Sequence, residues 1–192
     1  MVNSLTLRLA HINSQTADPP EGEILRGESG TCRLADLGVI ASMQPIHANS
    51  DMYIADQHWY KRCTGAYALR RQQDWGTVLA LGSDCPVETL EPLAGIHAAV
   101  TRRRADGTPG PERWYPEQRL TVEQAVQGNS AGEAYAAAME ERWGSLAPCK
   151  WADLTILDQG IFTFEPMEIL NTRVPATFGA GRFAWRAESL TD

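Results

Sequence analysis

The chemistry-bearing residues of this chain sit at the ends of apolar runs. In "LALGSDCPVE" (79–88) an apolar stretch stops at Gly82, and Ser83, Asp84, Cys85 and Pro86 follow. In "VIASMQPIHANSD" a second run is followed by His47, and "LTLRLAHI" closes on His11. Two histidines and an aspartate can hold a divalent metal, and parallel strands would bring His11, His47 and Asp84 to one rim. Each residue also has a plainer reading. Asp84 suits a turn or helix cap ahead of Pro86, His47 an incidental loop histidine, and His11 a core histidine on the face of Leu5, Leu7 and Leu9. Cys85 as a nucleophile with a histidine base lacks a glycine-rich elbow. His97 lies on an apolar helix face, which points to core packing, and His58 has no partner at ligand spacing. No Walker loop or G-x-G-x-x-G is present.

The elements that must position these groups follow from periodicity. Alternation over 5–9 predicts a short strand near the N-terminus, and 13–31 reads as loop. "LGVIASMQP" (37–45) and "TVLALGSD" (77–84) read as buried strands, the first ending at Pro45. Residues 51–74 are helical in part. "PLAGIHAAVTRRR" (92–104) predicts a helix with Leu93, Ile96, His97 and Val100 on one face. Thr121 and Gln124 have capping-box spacing. Gly128-Asn129-Ser130 is expected to break that helix, with Ser130 capping a second one that ends at Gly144. "ADLTILD" (152–158) reads as a strand, and 175–186 as a hairpin turning at Gly179-Ala180-Gly181. Strands alternating with helices over 37–104 imply an α/β fold with a parallel sheet.

The totals narrow the classes. A chain of 192 residues with 43% hydrophobic composition can bury one ordinary core. The net charge of −7 gives no global attraction to nucleic acid. Arg102, Arg103 and Arg104 form the densest basic cluster, expected to stay solvated at a helix end. No apolar run approaches the roughly 18 residues of a membrane span. The N-terminus does not read as a secretory leader, and the four cysteines are widely spaced, so the expectation is a cytoplasmic chain with free thiols.

Taken together, "LGVIASMQPIHANSDMY", "LALGSDCPVE…PLAGIHAAVTRR", "WYPEQRLTVEQAV", "GSLAPCKWADLTILD" and "EILNTRVPATFGAGRFAWR" resemble the C-terminal part of the amidohydrolase family 3 proteins, over about residues 33–186. These are metal-dependent hydrolases of the amidohydrolase superfamily. The resemblance implies a C-terminal fragment of a (β/α)8 barrel, about strands six to eight, in residues 1–145. It implies the returning strands of a small β-sandwich in 146–192. It implies that Asp84 is a metal ligand and the proton-transferring catalytic group, that His11 is a second metal ligand, and that His47 lines the substrate pocket. The implied cofactor is a divalent metal, zinc by expectation, and the implied partner is a small-molecule amide-type substrate. Trp114 and Tyr115 either lie near that pocket or pack as aromatics.

The chain departs from the family pattern in having no H-x-H. It also carries the irregular "PPEGEILRGESGTC" where the family has a short helix after strand six. About three of the eight barrel strands are expected, and two matched ligands fall short of the about three that a metal centre needs. Two functions are therefore expected as alternatives. One is a metal-dependent hydrolase of non-peptide carbon–nitrogen bonds, incomplete as this chain. The other is a truncated, catalytically silent product that folds partly or acts only through self-association, to which unpaired sheet edges would lend themselves.

Overall fold

The computed structural model describes Ala17 and residues 34–188. The expected first strand, with His11, lies outside the described residues. The fold is mixed α/β, and the described residues form a small parallel sheet and an antiparallel sheet.

The parallel sheet pairs β1 (Ala41–Met43) with β2 (Leu79–Leu81), in the register Ala41↔Leu79, Ser42↔Ala80 and Met43↔Leu81. Every residue of β2 is buried. That explains why its sequence is a continuous apolar run rather than an alternation, as expected for a strand covered on both faces. The strands are shorter than the 37–45 and 77–84 expected from sequence. Pro45 does not simply end β1. It opens helix α1 (Pro45–Trp59), where its missing N–H costs nothing. Helix α2 (Leu69–Asp74) then leads into β2.

After β2 comes α3 (Pro92–Thr101), again with proline in the first turn. Ile96, His97 and Val100 are buried on it, as the spacing predicts. Its C-cap is Arg102 in the left-handed region, not the expected run to 104. Helix α4 (Val122–Gln127) starts at the full capping box: Gln124 N–H donates to Thr121 Oγ1 (3.2 Å), and Thr121 N–H donates to Gln124 Oε1 (2.9 Å).

The expected break at 128–130 does not occur. The chain continues through a π-helical segment, Gly128–Gly132, into α5 (Glu133–Ala136). Ser130 Oγ donates back to Val126 O (2.7 Å) and caps nothing. The wide turn brings glycine backbone against β2, where a side chain would not fit. Gly144 lies well past the helix end, at φ +90°.

The main core surrounds the parallel sheet, with Leu69, Leu79, Leu81, Ile96 and Val100 among its buried residues. Ile169, in the 3-10 turn Pro166–Asn171, joins it against α3. The antiparallel sheet orders β3 (Leu154–Ile156), β4 (Ala176–Gly179) and β5 (Arg182–Arg186). Its hairpin turns as expected, through Ala180 (φ +51°) and Gly181 (φ +74°). Two central residues at positive φ match the right-handed strand twist. Among the described residues no helix is long and apolar enough to cross a membrane.

Candidate functional site at the strand ends

The β1–β2 register ends both strands at one level, Met43 beside Leu81, and Gly82 N–H extends the ladder to Met43 O (3.1 Å). His47 follows β1 by four residues and Asp84 follows β2 by three. Equal strand ends with short, similar offsets place two side chains side by side. His47 Nε2 stands 3.5 Å from Asp84 Oδ2. That separation suits an ion pair, and Nε2 is buried without a hydrogen-bond partner. His47 is therefore not a loop histidine. It lies in the first turn of α1, where its backbone N–H donates to Gln44 O (3.2 Å).

Asp84 is both a turn residue and a site-facing one. It has φ +59°, a conformation aspartate tolerates better than most residues. Its carbonyl accepts from Val87 N–H (2.8 Å). The turn uses the backbone, which leaves the half-exposed carboxylate to face His47. Ser50 Oγ on α1 donates to Glu88 Oε1 (2.5 Å), tying the helix that carries His47 to the segment after Asp84. A hollow of about 160 Å³ beside the end of β2 is lined by Ile46, Gly82, Ser83, Glu91 and Asn129.

The remaining sequence candidates stand elsewhere. Cys85 is exposed, with its backbone N–H on Ser83 Oγ (3.3 Å). His58 is exposed in the last turn of α1. Trp114 is buried against α1, with Nε1 3.1 Å from each oxygen of Asp56, and Tyr115 packs edge-on against it. For this pair the packing reading holds.

His97 is a core histidine, 2% exposed. Burial pulls its pKa down to about 4. Between about pH 6.5 and 4 the unfolded chain's histidine takes a proton that the folded one refuses. Stability is therefore full above the unfolded value and falls as pH drops through this window. The loss amounts to about 3 kcal/mol by pH 4. In urea titrations from pH 7 to 4, His97→Phe should lose less stability than the parent chain by about that amount. Parallel losses would show that His97 is not the group responsible.

Sequence reasoning misplaced one arginine and missed a cluster. Arg102, expected to be solvated, is completely buried. Its Nε donates to Trp114 O (2.9 Å), its Nη1 to Tyr67 O (3.2 Å), and its guanidinium lies 4.8 Å from the Trp114 ring centre. Burial lowers its pKa to about 10, so it stays a cation at neutral pH. The missed cluster is Asn49, Ser50, Glu88 and Arg104. Asn49, Ser50 and Glu88 carry no sequence signal, and Arg104 carries only that of a basic run expected to stay solvated.

The donor set at the strand ends does not fit a metal centre by itself. His47 and Asp84 supply two donors, and among the described residues no three His, Cys, Asp or Glu residues converge to hold an ion.

Comparison with known proteins adds family evidence. A family model described as an amidohydrolase family matches residues 31–184. The chain is 30% identical over 152 residues to Protein LONG AFTER FAR-RED 3 of Arabidopsis thaliana, covering 78% of this chain and 25% of that protein. It is 27% identical over 154 residues to the putative amidohydrolase YtcJ of Bacillus subtilis, covering 80% of this chain and 29% of that one. The crystal structure of an uncharacterized metal-dependent hydrolase from Pyrococcus horikoshii superposes with a TM-score of 0.60 at 24% identity, over 68% of this chain and 26% of that one. The chain thus spans about a quarter of the length of the relatives it matches.

Proposed function

This chain belongs to the amidohydrolase family, and on that premise we propose that it supplies the proton-transfer corner of a hydrolase acting on non-peptide carbon–nitrogen bonds. Residues 1–145 are then the last part of a (β/α)8 barrel, with β1 and β2 as its strands seven and eight, and 146–192 belong to a β-sandwich. The observation that carries this reading is the Asp84 carboxylate at the C-terminal end of a buried parallel strand, facing His47 at the end of its neighbour. That end of a β/α barrel is where catalytic groups gather.

As water adds to the carbonyl carbon, Asp84 takes its proton. As the C–N bond breaks, Asp84 returns that proton to the leaving nitrogen. His47, with Nε2 beside the Asp84 carboxylate, lines the substrate pocket. A divalent metal such as zinc needs about three protein ligands. The described residues bring no three such groups together. His11, which the resemblance pairs with Asp84, lies outside those residues.

Replacing Asp84 with Asn keeps the shape and removes the base. Any hydrolysis of amide-type substrates by this protein should fall by about a hundredfold or more, with melting unchanged. Activity surviving at the parental level would remove Asp84 from the mechanism.

The short donor set also favours a second reading, a catalytically silent chain that self-associates through the outer edges of the two-stranded sheet. Under it, no amide-type substrate turns over and sedimentation shows concentration-dependent oligomers. A monomeric, active chain overturns it.

A further inference from the structure

The hollow of about 160 Å³ at the end of β2 is shaped partly by side chains that are missing. Gly95 of α3 lines it. That residue is buried, yet a Cβ on it would meet nothing within 4 Å, so the open space before it is this hollow. Gly82 is a second glycine of the lining. Two positions without side chains thus keep the space open. The lining also fixes where the hollow lies. Ile46 directly precedes His47, and Gly82 and Ser83 directly precede Asp84, so the hollow adjoins both groups of the strand-end pair.

The chemistry of the walls selects against ions. Ile46, Leu81, Leu90 and Pro92 supply the apolar surface. Leu90 is 72% exposed, so a large apolar side chain stands open at the hollow. The polar side chains of the lining are engaged with nearby backbone. Ser83 Oγ accepts from Cys85 N–H (3.3 Å), Thr89 Oγ1 accepts from Glu91 N–H (3.3 Å), and Asn129 Nδ2 donates to Ala125 O (2.9 Å). Among the described residues of the lining only Glu91 is charged, and it is exposed. Glu91 and the adjoining Asp84 both disfavour an anionic group. What remains unmatched is apolar wall, and removing such wall from water is favourable. An apolar cavity of about 150 Å³ is enough for benzene, so this hollow matches a six-membered ring or a branched alkyl group.

We propose that this hollow is the side-group subsite of the strand-end site, and that it takes a neutral, ring-sized apolar group of an amide-type substrate. The ring meets Ile46, Leu81 and Leu90, and a short spacer carries the amide out to the Asp84 carboxylate. The subsite then sets preference among amides, while Asp84 handles the proton. Gly95 sets its depth, because a methyl group at that position would fill part of the space the ring needs. The placing of the amide at Asp84 rests on the hydrolytic reading above. Occupation of the hollow does not, because its readout is binding.

Titration of the full chain with 2-phenylacetamide tests it, followed by the methyl NMR signals of Ile46, Leu81 and Leu90. Acetamide, which lacks the ring, and phenylacetate, which carries a charge, are the controls. The expected result is one saturable site with Kd of about 1 mM or tighter, and at least about tenfold weaker binding of either control. The Ile46 and Leu90 methyl signals should shift as the site fills. Gly95→Ala should weaken phenylacetamide binding by about tenfold without lowering the melting temperature, so its loss of binding is not loss of fold. Binding that persists in Asp84→Asn, with no turnover by the parent chain, would support the subsite while the hydrolytic reading fails. No saturable binding at about 10 mM, equal binding of acetamide, methyl signals that stay still, or parental affinity in Gly95→Ala would each overturn the proposal, whatever the fate of the hydrolytic reading.

Discussion

Gly132→Ala is expected to abolish stable folding, or to remove more than about 4 kcal/mol of stability. Gly132 has ordinary helical angles, φ −64° and ψ −43°, so the cost is steric and not conformational. A Cβ there would lie 1.9 Å from Leu79 O and 3.0 Å from Leu79 C. Both atoms are backbone of β2, the strand that leads into Asp84, and no rotamer can move them aside. Relief requires shifting the π-helical segment away from the sheet, which opens the core around Leu81. Gly95→Ala is the matched control. Gly95 is buried within α3, yet a Cβ there meets nothing within 4 Å. It should gain about 0.5–1 kcal/mol by restricting the unfolded chain. Thermal melting of the two variants beside the parent chain checks both signs. A Gly132→Ala protein melting within a degree or two of the parent would mean that the helix does not rest on β2 at this distance.

The second large effect is at Arg102. Two forces oppose each other there. Removing a buried cation relieves its desolvation, and replacing buried ions with apolar groups of similar volume is often neutral. Against that, no carboxylate among the described residues forms an ion pair with Arg102. It satisfies two buried backbone carbonyls, Trp114 O and Tyr67 O. An apolar replacement leaves both without their donor, at about 1–3 kcal/mol each, and loses the stacking on Trp114. Arg102→Met should therefore cost about 2–4 kcal/mol. Arg102→Lys should recover less than half of this, since one ammonium cannot reproduce the planar fork. Urea unfolding of the two variants gives the numbers. An Arg102→Met chain as stable as the parent would show that desolvation outweighs both hydrogen bonds.

Arg102 also shows where sequence reading stops. In "TRRRADG" the three arginines are equivalent by type and neighbourhood. Only Arg102 is fully buried, where α3 ends in the left-handed region. The turn swings its side chain under the loop bearing Trp114. Reading the helix three residues too long, to 104, is the same error seen from the backbone. The 128–132 segment failed for a related reason. Gly, Asn and Ser have low helix propensity, and propensity is decided locally. Contact with β2 favours small residues there and overrides it.

The apolar runs at β1 and β2, the capping box at Thr121 and the hairpin turn at Ala180-Gly181 were legible, because each follows from neighbours in sequence. So was the candidacy of Asp84 and His47, since a polar group that closes a buried strand must emerge at its end. Their pairing was not legible. It depends on register, on a helix that starts at Pro45 and on the left-handed turn at Asp84, which together bring side chains 37 residues apart to 3.5 Å. The grouping of Asn49, Ser50, Glu88 and Arg104 was not legible either, for it joins α1 to the segments that follow β2 and α3. Local chemistry, from strand patterning to caps, is written in short stretches of chain; which polar groups meet, and which cation is buried, is set by packing between distant ones.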